Sequence, residues 1–113
     1  MDRFKNKAHK EWLDEGIRHL DVLCKEAQEF ADDGDILPST KSKTAAVELM
    51  KEFCHAPAPH IAVTSNGDIV LTWENNGESF KVFINHMGTY QLYKNKTKID
   101  KPAFAKNVIA VPA

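Results

Sequence analysis

The sequence predicts an α+β fold, with two N-terminal helices packed on one face of a four- to five-stranded antiparallel meander. Three observations predict it. Apolar residues recur at helical spacing through the first half of the chain. Runs of alternating apolar and polar residues fill much of the second half. Between those runs sit Asn66-Gly67 and Asn76-Gly77, and an Asn-Gly pair flanked by alternating residues is the strongest short-range hairpin signal, so Ser65-Asn66-Gly67 and Asn75-Asn76-Gly77 are read as turns.

The first helix is expected over residues 3–32. Leu13, Ile17, Leu20, Cys24, Ala27 and Ala31 follow one another at spacings of three or four, and Trp12, Leu23 and Phe30 widen that stripe. Gly16 interrupts it at a cost of about 1 kcal/mol relative to alanine. Lysines crowd the first turns, where the helix dipole disfavours them, so the helix is expected to begin frayed or as coil. Gly34 suits the left-handed position that ends a helix. A second helix is expected over residues 39–54, capped by Ser39 or Thr40 and buried through Ala45, Ala46, Leu49, Met50 and Phe53. The segment Ala56-Pro57-Ala58-Pro59 then forces an extended linker.

Strands are expected at 60–64, 68–74, 78–85 and 89–94. In the tail, residues 95–113, Val108 to Val111 has β character and is expected as a fifth, edge strand. Side chains alternate along a strand, so the two sheet faces can be sorted. Ile61, Val63, Ile69, Leu71, Trp73, Phe80, Val82, Ile84, Tyr90 and Leu92 form an apolar face that packs on the helices. The opposite face holds Ala62, Thr64, Val70, Thr72, Lys81, Phe83, Gln91 and Tyr93, with Val70, Phe83 and Tyr93 expected to neighbour one another across strands.

A chain of 113 residues with 42% hydrophobic and 27% charged residues fits one globular domain. Its net charge of −1 gives no general attraction to nucleic acid or anionic membrane. The charge is unevenly placed, however. Nine acids lie between Glu11 and Asp35 against Arg18 and Lys25, whereas Lys94, Lys96, Lys98, Lys101 and Lys106 face only Asp100. These stretches read either as solvated faces or as an acidic and a basic contact surface. The charged N-terminus does not resemble a signal peptide, and no stretch has the length of a membrane span. A cytoplasmic protein is therefore expected.

The stretch from Glu26 to Tyr93 resembles a family of small uncharacterised bacterial and phage proteins. The residues that carry the likeness are Asp33-Gly34, Leu37-Pro38-Ser39, Pro57-Ala58-Pro59-His60-Ile61, Val63-Thr64, Asn66-Gly67 and the run from Ile69 to Trp73. Asn76-Gly77, Phe80 to Ile84 and Gly88-Thr89-Tyr90 fit as well. Where the family often has a tryptophan before its Asp-Gly pair, this chain has Asp32. The resemblance implies a bacterial or mobile-element origin and assigns no reaction.

No motif names a chemistry. The histidines His9, His19, His55, His60 and His86 are scattered, without the short paired spacings of a zinc site. Asp32-Asp33-Gly34-Asp35 begins like a calcium loop, but its third position is Gly34 and its twelfth is Lys43. Cys24 and Cys54 are expected as buried free thiols, and the neighbours Met50 and Phe53 argue against Cys54 as a nucleophile. No catalytic residue, metal or cofactor is assigned.

The expected function is a non-catalytic protein-interaction module of the inhibitor, antitoxin or immunity type, by analogy with other small bacterial proteins. Its candidate contact residues are Glu11, Asp14 and Glu15 on the acidic helix, Val70, Lys81, Phe83 and Tyr93 on the open sheet face, and Lys94, Lys96 and Lys98 beyond it. A protein is the expected partner. Single-stranded nucleic acid on the open face, a homodimer through that face, and a small enzyme with an unrecognised site are the alternatives. The acidity of the first helix weighs against nucleic acid.

Overall fold

The computed structural model describes residues 2–75 and 77–109, with side chains from Trp12 onward except at Asn75 and Ile109. Helix α1 spans Asp2–Glu29 and α2 spans Thr40–Glu52. Strands β1 (His60–Val63), β2 (Ile69–Asn75), β3 (Glu78–Ile84), β4 (Tyr90–Lys94) and β5 (Thr97–Ile99) follow, and α3 (Lys101–Ile109) closes the described chain. The sheet order is β1-β2-β3-β4-β5 with every neighbouring pair antiparallel, so the meander and the α+β class are as predicted.

Helix α1 is helical from Asp2, without the coil start its early lysines predict. It turns Trp12 and Leu20 fully inward, with Leu13, Ile17, Leu23 and Cys24 partly buried beside them. Gly16 has a packing reason. A Cβ there would lie 3.2 Å from the Trp12 ring, so the missing side chain makes room for the indole. The inward stripe stops earlier than expected. The helix ends at Glu29, leaving Phe30 74% exposed and Ala31 outside the helix. The chain then reverses through Gly34 at a φ of 93°, while the Asp35 carboxylate accepts from the Asp32 N–H.

Helix α2 begins with a reciprocal cap. The Ser39 hydroxyl accepts from the Ser42 N–H, and the Ser42 hydroxyl accepts from the Ser39 N–H. Two free backbone donors are satisfied this way. The Ser39 hydroxyl also donates to the His86 carbonyl, tying the start of α2 to the β3–β4 turn. Ala46, Leu49, Met50 and Phe53 are buried as the spacing predicts.

The first hairpin turn packs tightly against the segment before α2. Gly67 has a φ of 79°, and a Cβ on it would come within 2.9 Å of the Leu37 carbonyl oxygen. The Ile36 N–H donates to the Ser65 carbonyl at the same place. In the second hairpin, Gly77 has a φ of 80°, whereas Asn76 lies outside the described residues.

The tail departs from expectation. The fifth strand is Thr97–Ile99, reached through Asn95 at a φ of 56°, and Val108 belongs to helix α3. Ala110 and Val111 of the expected strand lie outside the described residues. Asp100 caps α3, its carboxylate accepting from the Ala103 N–H at 2.9 Å. Pro102 sits in the first turn, where a missing N–H breaks no helical bond. Phe104 and Val108, one helical turn apart, are both fully buried, and that burial overrides the β preference of the valine.

All three helices contribute to one core on one face of the sheet. Phe53, Trp73 and Phe104 pack mutually with ring centroids 5.6–5.8 Å apart, and Phe80 joins through Phe104. Two indoles fasten the linker over this cluster. Trp12 Nε1 donates to the Ala56 carbonyl at 2.8 Å, and Trp73 Nε1 donates to the Pro57 carbonyl at 2.7 Å. Trp12→Phe and Trp73→Phe each leave one of these carbonyls without its donor. Each is expected to cost about 1–3 kcal/mol in urea unfolding with an unchanged m-value. A loss below about 0.3 kcal/mol in both would refute a clamping role for the indoles.

Candidate functional site

The face of the sheet turned away from the helices is the candidate site. Strand pairing lays its side chains out in rows. One row runs His60, Thr72, Lys81, Tyr93, Lys98 across all five strands. The next runs Ala62, Val70, Phe83, Gln91. Phe83 and Tyr93 come from different rows and meet edge to face, with ring centroids 5.5 Å apart. Phe83 is 38% exposed beside Tyr93.

Around this aromatic pair lies a shallow, open concavity of about 500 Å³, lined by Lys81, Phe83, Gln91, Tyr93, Asn95 and Lys96. No acid lines it. Its two amides are oriented by the protein. Gln91 Oε1 accepts from the Tyr93 hydroxyl at 2.7 Å, and Asn95 Oδ1 accepts from the Ser79 N–H at 3.0 Å. Each amide oxygen thus accepts a hydrogen bond from the protein, which leaves its NH2 group as the donor. Lysine ammoniums carry only donors. The concavity therefore combines a flat aromatic surface with hydrogen-bond donors and positive charge. Glu74, opposite Ser79 on the β2 side of this face, does not line it.

The predicted contact residues fall into separate groups. Lys81, Phe83, Tyr93, Lys96 and Lys98 gather on the open side of β3–β5. Val70 neighbours Phe83 as expected, but it is 8% exposed and offers little contact surface. Lys94 does not join the group. It pairs with Phe80 in register, which turns it to the helix side, and its ammonium lies 3.3 Å from the Glu78 carboxylate. Lys101 is committed to structure as well. Its Nζ lies 2.8 Å from Glu52 Oε1 and 5.7 Å from the Tyr90 ring centre. Bonding to Glu52 first, and to Tyr90 second, holds its ammonium above the ordinary lysine range. That contact also accounts for Tyr90, which shares the helix-side parity yet is 36% exposed.

Asp14 and Glu15 are exposed on α1, in the layer behind the sheet, and the side chain of Glu11 lies outside the described set. Asp14 and Glu15 therefore lie on the other side of the sheet from Lys81, Lys96 and Lys98, whereas Lys94 shares the helix side. Among the described residues no three His, Cys, Asp or Glu side chains gather to hold a metal ion. Nor is any described helix long and apolar enough to cross a membrane.

Sequence reasoning missed Gln91 and Asn95 as lining residues. Asn95 carried a usable signal, because Lys94-Asn95-Lys96 places a turn-forming residue between two short β runs. Both cysteines are free and partly buried rather than fully buried. Burial pushes the Cys24 thiol above its usual range, with Lys43 opposing and Asp21 adding. Cys24 is accordingly expected to alkylate with iodoacetamide at pH 8 several-fold more slowly than an unstructured cysteine peptide. Peptide mapping by mass spectrometry reads the rate, and an equal or faster reaction would contradict the burial argument.

No family model, no curated protein and no solved structure matches this chain.

Proposed function

We propose that this chain is a non-catalytic interaction module of bacterial or mobile-element origin, acting in the cytoplasm on an anionic partner. Its working surface is the open face of β3–β5. One observation carries the reading: a partly exposed aromatic pair, bordered by amides and lysines, in a concavity with no acid among its described lining residues. An apolar group left exposed on a sheet face reads as a contact surface. Such a broad, shallow hollow suits a surface partner better than an enclosed small molecule. An inhibitor or antitoxin works through surfaces of this kind, with opposite charges speeding encounter more than they add affinity. The acidic face of α1, with Asp14 and Glu15, serves solubility in this reading.

The molecule is net negative at neutral pH, so retention on a polyanionic matrix requires locally organised lysines. The protein is expected to bind immobilised heparin at pH 7.5 and 20 mM salt and to elute as salt rises. Lys81→Glu with Lys98→Glu abolishes retention, while Asp14→Asn with Glu15→Gln leaves it equal or stronger. Passage of the unaltered protein through the matrix without retention would refute the proposal.

A further inference from the structure

We propose that the occupant of this face is a single-stranded nucleic acid, laid across β3, β4 and β5 with a base against the Phe83–Tyr93 pair. The inference rests on the binding-module reading above and names its partner. Three features on one surface carry it. The first is an aromatic platform: Phe83 exposes ring surface while the edge-to-face contact with Tyr93 fixes the pair. Every base has a flat π-face to set against such a ring, which makes stacking tolerant of sequence.

The second is the spacing of positive charge. Lys81 and Lys98 flank Tyr93 within one cross-strand row, and Lys96 closes the concavity from the β4–β5 turn. Neighbouring strands lie about 4.8 Å apart, so the row sets the backbone positions of the two lysines about 10 Å from one another, one on each side of Tyr93. A phosphate backbone passing a stacked base meets a cation before and after it.

The third is the polarity of the amides. The oxygens of Gln91 and Asn95 accept from Tyr93 and Ser79, which leaves their NH2 groups as the donors. Base edges and phosphates supply the acceptors that such donors need. An acidic protein segment could meet the lysines but would give the exposed ring no flat partner.

The acidic helix does not oppose this arrangement. Helix α1 packs on the far side of the sheet, with the buried core between. At physiological salt, charges more than about 8 Å apart are largely screened. The sequence alone places these charges on one chain, whereas the fold places them on opposite sides.

Fluorescence anisotropy at 50 mM salt with labelled 12-nucleotide dT and rU strands tests the proposal, with a 12-base-pair duplex and poly-L-glutamate as competitors. Binding of either strand is expected, and the tighter of the two names the preferred sugar. Three lysine–phosphate contacts predict a slope of about −2 in log affinity against log salt. Phe83→Ala and Phe83→Leu are each expected to weaken binding about tenfold, the second keeping apolar volume without a flat ring. Lys81→Glu with Lys98→Glu removes binding, and circular dichroism checks that each variant is folded. Absence of binding by both strands overturns the inference, as does binding insensitive to both Phe83 variants. Poly-L-glutamate competing as well as the strands overturns it in favour of an acidic protein. If heparin retention persists while the strands fail to bind, only the nucleic-acid assignment falls; loss of retention as well removes the module reading beneath it.

Discussion

The short linker between α2 and β1 is the constraint on which the rest of the structure depends. Ala56 to Pro59 connects the helical layer to the sheet, and two tryptophans from opposite layers hold its carbonyls. Trp12 reaches from α1 to Ala56, and Trp73 reaches from β2 to Pro57. Prolines keep the segment extended, so its carbonyls cannot satisfy each other in a helix. Buried carbonyls without donors are costly, and the indoles supply the donors while adding large apolar surfaces to the core. Phe53 and Phe104 pack on Trp73, and Phe80 packs on Phe104, so the linker, α2, the sheet and α3 converge on one aromatic cluster. With the helices fixed on that side, the other face of the sheet is left to solvent.

That asymmetry sorts the charges. The acids between residues 11 and 35 fall largely on α1 and the loop after it. The lysines of the C-terminal segment are divided by strand parity and by pairing. Lys94 and Lys101 are taken by Glu78 and Glu52, which stabilise the ends of strands and helices. Exposed pairs of this kind contribute little individually, about 0–1 kcal/mol each. Their consequence is selection: Lys96 and Lys98 remain to join Lys81 beside the aromatic pair. A basic stretch in the sequence becomes a smaller and better defined basic surface in the fold.

Much of this architecture is legible in the sequence because it depends on local rules. Ser39 caps α2, Gly34 and Gly67 take positive φ, and parity correctly divides the two sheet faces. The failures have physical causes. Phe30 and Ala31 continue the helical spacing, but spacing cannot show that α1 ends at Glu29 and leaves both exposed. Val108 has β preference, yet the Asp100 cap and the need to bury Phe104 make its segment a helix. The predicted Val70, Phe83 and Tyr93 group was right in adjacency and incomplete in chemistry. The amide orientations at Gln91 and Asn95 depend on Tyr93 and Ser79, contacts that alternation alone does not reveal.

The central claim is that the two sides of the sheet have separate tasks: helices seal one, and the other receives an anionic, flat-ringed partner. Amide chemical-shift mapping with a single-stranded octanucleotide tests it most directly. The account predicts that the largest shifts fall at Lys81, Phe83, Gln91, Tyr93, Lys96 and Lys98, with Asp14 and Glu15 unmoved. Shifts concentrated on α1, or no shifts at millimolar oligonucleotide, would contradict it.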